Sequence, residues 1–150
     1  MLRENFNTAM KEAMRSKDKR RLSTIRLIMA AIKDRDISVR TGSDSKVGDP
    51  EIIEILSKMV KQRHESCKAY SDAGRDELAK QESDEIEIIS EFLPRQLDNQ
   101  EVATAVKEAI EATGASGLKD IGKIMGQLKG QYSGQMDFSK ASALTKDLLS

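Results

Sequence analysis

Three ionisable residues have the types and the spacing to do chemistry: Arg63, Glu82 and Glu85. On a helix, Arg63 falls in the middle of an apolar row formed by Ile52, Leu56, Met59, Cys67 and Tyr70. Glu82 and Glu85 share a second helical face with Leu78, Ile86 and Ile89. Paired carboxylates can do acid–base work. An uncompensated buried charge is costly, on the order of several kcal/mol, so an Arg63–Glu82 or Arg63–Glu85 contact is expected inside a helical bundle. A structural ion pair is the plainer reading of that contact.

The second candidate is Gly122-Lys-Ile-Met-Gly126-Gln-Leu-Lys-Gly130, where glycine recurs every fourth residue within a helical apolar pattern. A helix-interior Gly costs roughly 1 kcal/mol relative to Ala. At 100° per residue, Leu118, Ile121, Ile124, Met125 and Leu128 form one face and Gly122, Gly126 and Gly130 the other, with Lys119 and Lys123 beside the glycines. A strip without side chains, flanked by ammonium groups, lets a phosphate backbone approach closely. The same strip would suit a helix packed tightly on it. A further basic row, Lys19, Arg26 and Lys33, repeats every seventh residue on an earlier helix. It reads either as a solvated flank or as a set of phosphate contacts.

Other chemistry is excluded. His64 is the only histidine, so neither a His-based triad elsewhere nor a His-rich metal site is available. The lone Cys67 sits in an apolar row and reads as a core thiol. No phosphate-loop or dinucleotide fingerprint is present. No catalytic residue, cofactor or metal is expected. Aromatics make up 3% of the chain, too sparse for stacking platforms, so any nucleic-acid contact should be to backbone and shape.

Helices must position these residues. Of 150 residues, 33% are charged, Trp is absent and Pro occurs twice, a composition that suits an all-α protein. Leu2, Phe6 and Met10 mark a first helix over about 2–15; Leu22, Ile25, Met29 and Ile32 mark a second over about 18–37. Residues 38–49 read as a polar loop. Asp49 as N-cap and Pro50 at the first helical position start a third helix, closed by Ala73-Gly74. A fourth spans about 75–92. Pro94 sets a boundary, so about four helices over 1–93 form an N-terminal bundle and 95–150 form a small three-helix domain. Asp98 and Glu101 make a capping-box signature ahead of Val102, Val106, Ala109 and Ile110. The glycine-ladder helix covers about 118–129, and Asp137 or Ser139 caps a last helix with Ala141, Leu144 and Leu148 inward.

The formal net charge is zero but unevenly spread. Residues 1–40 hold 11 Lys and Arg against 5 Asp and Glu, residues 41–93 hold 7 against 13, and residues 94–150 hold 7 of each. The basic first segment can face an anionic partner or pair with the acidic second segment inside the fold. The charged N-terminus lacks the apolar core of a signal peptide, and no apolar run approaches the ~18 residues of a membrane span. A cytoplasmic location without a membrane partner is the expectation.

Several motifs resemble the YqeY proteins of bacteria, of the GatB/YqeY family: Lys61-Gln-Arg63-His-Glu65-Ser66, Ala73-Gly74-Arg75, Leu78-Ala79, Glu82, Glu85-Ile86, Phe92-Leu93-Pro94-Arg-Gln96-Leu97, Gly114-Ala115 and Asp120-Ile-Gly122-Lys123-Ile-Met125-Gly126. The resemblance spans nearly the whole chain. It implies that residues 95–150 are similar to the tail domain of the B subunit of glutamine-dependent aspartyl/glutamyl-tRNA amidotransferase, a carbon–nitrogen ligase with glutamine as amido donor. That tail helps to bind tRNA, and the catalytic chemistry lies in other domains. The implied role is a free-standing tRNA-binding accessory, with amidotransferase subunits or an aminoacyl-tRNA synthetase as further partners and no DNA. The shared motif falls on Asp120, Gly122, Lys123, Met125, Gly126, Gly134 and Asp137. Met125 is expected in the core and both aspartates at caps, leaving Gly122, Lys123 and Gly126, with Lys119 and Lys129, to touch RNA. The run before Gly134, often basic in relatives, here holds Lys129 alone. The alternative role is a protein-interaction module that receives a partner helix on the Gly122/Gly126/Gly130 strip.

Overall fold

A computed structural model describes residues 1–39 and 46–150. Among them are seven α-helices and no strand, so the protein is all-α: α1 (Leu2–Ser16), α2 (Lys19–Ser38), α3 (Asp49–Asp72), α4 (Asp76–Ser90), α5 (Asn99–Thr113), α6 (Ile121–Gln131) and α7 (Phe138–Leu149). A 3-10 turn, Leu118–Asp120, leads into α6. Part of the polar loop expected over 38–49, residues 40–45, lies outside the described residues. None of the described helices is long and apolar enough to cross a membrane.

The chain divides into two compact units, Met1–Leu93 and Pro94–Ser150. The first buries Phe6, Ala9 and Ala13 of α1 against Ile25, Ile28 and Ile32 of α2, Ile52, Ile55, Leu56 and Met59 of α3, and Ile89 of α4. Phe92 sets its ring 4.8 Å from that of Phe6. On α2 the buried set is wider than the expected stripe. Thr24 and Ile28 are fully buried, whereas Leu22 and Met29 are half-buried. The helix touches α1, α3 and α4, and a helix enclosed on several sides needs an apolar face broader than one row.

Helix ends follow local chemistry. Asp18 caps α2 by accepting from the Arg21 N–H. Asp49 is the first residue of α3 rather than its cap, and its carboxylate accepts from the Leu2 N–H at 3.4 Å instead. Arg3 ties the same region together. It donates to both carboxylate oxygens of Asp36, at 2.6 and 3.0 Å, and to the Val47 carbonyl at 2.9 Å.

The second unit is built on Ala105, Val106 and Ala109 of α5, Ile124 and Leu128 of α6, Met136, and Ala141 of α7. Asp98 and Glu101 form a complete capping box, with Glu101 N–H to Asp98 Oδ1 at 2.7 Å. Arg95 clamps Glu101 through two bonds of 3.0 and 2.7 Å, holding the Glu101 carboxyl at about 2. Gly114 closes α5 with φ 64°, the left-handed geometry that glycine adopts without strain. Two inward assignments fail here. Leu118 is 55% exposed and Leu148 is 43% exposed. Leu118 belongs to the 3-10 turn, whose steps of about 120° per residue take it out of the register of α6.

Candidate nucleic-acid interface

Arg63 and Glu85 are brought together where α3 runs beside α4. Arg63 Nε donates to Glu85 Oε2 at 2.9 Å, and a second guanidinium nitrogen reaches the Met59 carbonyl at 3.3 Å. The two side chains keep 15% and 25% of their surface, so the pair lies at the edge of the core. Glu82 is half-buried on the same helix and makes no ion pair with Arg63. Nearby, the Cys67 thiol donates to the Ala79 carbonyl at 3.4 Å, a structural contact. The Arg63–Glu85 bond ties α3 to α4.

Lys19, Arg26 and Lys33 stand exposed on α2 and join no ion pair among the described residues. Their neighbours behave differently. Arg20 pairs with Asp84, within α4, and Arg21 with Glu91, just after it. Two guanidinium groups of α2 thus secure the bundle, while the seven-residue row faces solvent between Ser23, Leu27, Ala30 and Asp34.

The glycine face of α6 is open. Gly122, Gly126 and Gly130 are exposed, and a Cβ placed on any of them would meet no atom within 4 Å. Among the described residues of the second unit, no helix packs tightly on the strip. Lys119, Lys123 and Lys129 are exposed around it and join no ion pair among the described residues. Ile124 and Leu128, on the other side of the same helix, are fully buried and hold α6 down. Met125 is half-buried against the same core. Asp120 turns backward. It accepts from the Ser116 N–H at 3.1 Å, which, with the Gly117 N–H and the charges of Lys119 and Lys123, holds its carboxyl below the usual range. Asp137 does cap its helix, accepting from the Ser139 N–H at 2.9 Å. Gly134 is buried in the turn before α7, with φ 74°, and its carbonyl accepts from Gln96 Nε2 at 2.5 Å.

The model of one protein family, described as Yqey-like protein, matches residues 3–149. The chain belongs to the YqeY-like family. Curated relatives share the name "Altered inheritance of mitochondria protein 41, mitochondrial". The protein of Candida glabrata is 30% identical over 139 residues, 92% of this chain and 70% of the relative. That of Vanderwaltozyma polyspora is 29% identical over 119 residues, 75% of this chain and 62% of the relative. That of Clavispora lusitaniae is 35% identical over 92 residues, 61% of this chain and 51% of the relative. The chain thus spans between about half and 70% of these relatives' length.

Two expectations are corrected by these matches. The relatives are named as mitochondrial, which overturns the cytoplasmic location read from composition. They are yeast proteins, so the bacterial origin suggested by the resemblance is not supported. Composition was silent on the first point because charge and hydropathy report on solubility, not on compartment.

One feature of this YqeY-like chain escaped the sequence. A shallow groove lies between α6 and α7, lined by Met125, Lys129, Phe138, Ser139 and Ser142. The only signals were Met125/Lys129 and Phe138/Ser142, each four residues apart and so on one helical face. Which helices would face each other is not written in either pair.

Proposed function

We propose that this YqeY-like protein is an RNA-binding accessory, with tRNA as its ligand, and that it works without a catalytic centre of its own. The open glycine strip carries this reading: nothing lies within 4 Å of the Cβ positions of Gly122, Gly126 and Gly130. Three helical glycines forgo roughly 1 kcal/mol each relative to Ala. No close approach among the described residues requires them. A strip that is bare toward solvent and ringed by Lys119, Lys123 and Lys129 is suited to a sugar–phosphate backbone. Lys19, Arg26 and Lys33 offer the same chemistry on α2. Association with a tRNA amidotransferase or an aminoacyl-tRNA synthetase belongs to the same proposal, and by the relatives' names its setting is mitochondrial.

The reading is tested by titrating the protein with bulk tRNA over a range of salt. Log affinity is expected to fall as log salt rises, with a slope that shrinks when lysines of the strip are removed. Absence of binding at low salt ends the proposal.

Leu118 supports a second reading. It is 55% exposed at the head of the strip, one turn before Gly122. An exposed leucine beside a bare strip also suits an apolar partner helix. Leu118→Ser would then abolish capture of an amidotransferase subunit while leaving tRNA binding unchanged.

A further inference from the structure

The groove between α6 and α7 presents apolar and polar surface from both helices. Met125 and Phe138 supply its apolar surface, and Lys129, Ser139 and Ser142 its polar surface, around a volume of about 420 Å³. Phe138 is half-buried, held by the second core but with part of its ring surface in the groove. The other phenylalanines are placed otherwise: Phe6 is buried and Phe92 packs against it. Lys129 is exposed and joins no ion pair among the described residues. On α6, Met125 and Lys129 lie on the flank next to Gly122 and Gly126, so the groove opens directly beside the bare strip. On α7, Lys146 follows Ser142 by one turn on the same side.

Departing from the expectation of backbone and shape contacts alone, we infer that the α6–α7 groove takes one unpaired nucleotide of a bound RNA. The inference rests on the RNA-binding reading and adds to it the kind of RNA, one with a splayed-out base. The base would lie between the Phe138 ring and the Met125 thioether, an aromatic face and a polarisable sulfur that accept any base. The Ser142 hydroxyl is placed to meet a polar atom on its edge, and Lys129 the phosphate. The backbone on either side would then run over Gly122 and Gly126, where no side chain obstructs it. Sequence-tolerant recognition of an unstacked base alongside backbone contacts is a common way to distinguish single-stranded regions of RNA from a uniform duplex.

The test uses the full chain and three probes: a single-stranded hexaribonucleotide carrying 2-aminopurine, a blunt RNA duplex of the same length, and bulk tRNA. The single strand should bind with quenching of its fluorescence and be displaced by tRNA, and the duplex should bind at least about 10-fold more weakly. Phe138→Leu keeps an apolar anchor but removes the stacking face. It should abolish the quenching and weaken the single strand by about 10-fold. Ser142→Glu, at a half-exposed position, places a carboxylate in the groove and should weaken the single strand by a similar factor of about 10. It serves equally if Phe138→Leu does not fold. Equal binding of single strand and duplex, or parental binding by the folded variants, overturns the inference while tRNA binding upholds the broader reading. If no RNA binds at low salt, both fall.

Discussion

In Met1–Leu93 guanidinium groups join distant parts of the chain through ion pairs, Arg3 to Asp36, Arg20 to Asp84, Arg21 to Glu91 and Arg63 to Glu85, while the N-terminal ammonium meets Glu4 locally at 3.9 Å. In Pro94–Ser150 one pair, Arg95 with Glu101, sits beside a helix cap, and Lys107, Lys119, Lys123, Lys129, Lys140 and Lys146 join none among the described residues. A guanidinium fork meets a carboxylate with two parallel bonds, whereas a lysine ammonium is a mobile, strongly hydrated point charge. The first unit therefore turns much of its charge into architecture. The second holds itself together by apolar burial and leaves its lysines to solvent, around a face of α6 with no side chains. The zero net charge of the chain conceals this division. Part of the basic excess of residues 1–40 is matched by Asp84 and Glu91 of the acidic segment, while the balanced second unit keeps its lysines out of ion pairs among the described residues.

That contrast can be broken first at the second core. Leu128 is fully buried in a core of seven residues, and Leu128→Ala should cost about 3 kcal/mol. Chemical denaturation should show the loss in the unit that contains α6, with the first unit's transition unchanged. An equal shift of both transitions would show that the units do not unfold separately.

The first unit should respond instead to loss of a pair. Arg63→Ala removes the bond to Glu85 and the bond to the Met59 carbonyl, and leaves a half-buried carboxylate. A loss of about 2 kcal/mol is expected in thermal melts, with no change in tRNA affinity. The corresponding lysine change should do the reverse. Lys119→Glu with Lys123→Glu should weaken tRNA binding by about 2 kcal/mol and alter stability by no more than about 0.5 kcal/mol. A larger effect on melting than on binding would place these lysines in the architecture after all.

The smallest effect is expected at the one pair of the second unit. Glu101 titrates at about 2 in the folded chain instead of its ordinary 4.5, chiefly through the Arg95 hydrogen bonds. Because its folded value is depressed, its contribution is present above pH 4.5 and is lost as the pH falls from there toward 2. Glu101→Gln should flatten the acid limb of stability across that window. An unchanged limb would show that this exposed pair does not matter to folding.

Much of the fold was legible because helices write their period into the sequence. The stripes through Phe6, Ile25, Leu56 and Ile89, the Asp98–Glu101 box and the glycine face of α6 all follow from spacing alone. Register was lost where the local period changed. A 3-10 turn moved Leu118 to the surface, and α2, touched by three helices, buried Ile28 and Thr24 in addition to its expected row. Partner choice was legible only as a pair of alternatives. Arg63 needed a carboxylate, but whether Glu82 or Glu85 supplied it depended on how α4 slides against α3. The groove beside Phe138 was not legible at all, since it exists only where two helices meet. Compartment lay outside what composition encodes.

The central claim is that the glycines of α6 are kept for what they leave open, at a cost to the helix. Leucine is nearly as good a helix former as alanine, and a Cβ at Gly122 or Gly126 meets no atom of the described residues within 4 Å. The double variant is Gly122→Leu with Gly126→Leu. The deciding measurement pairs thermal denaturation of this double variant with its tRNA affinity at low salt. The account predicts a protein more stable by about 1–2 kcal/mol that binds tRNA at least about 10-fold more weakly. A more stable variant that binds tRNA as the parent does would contradict it.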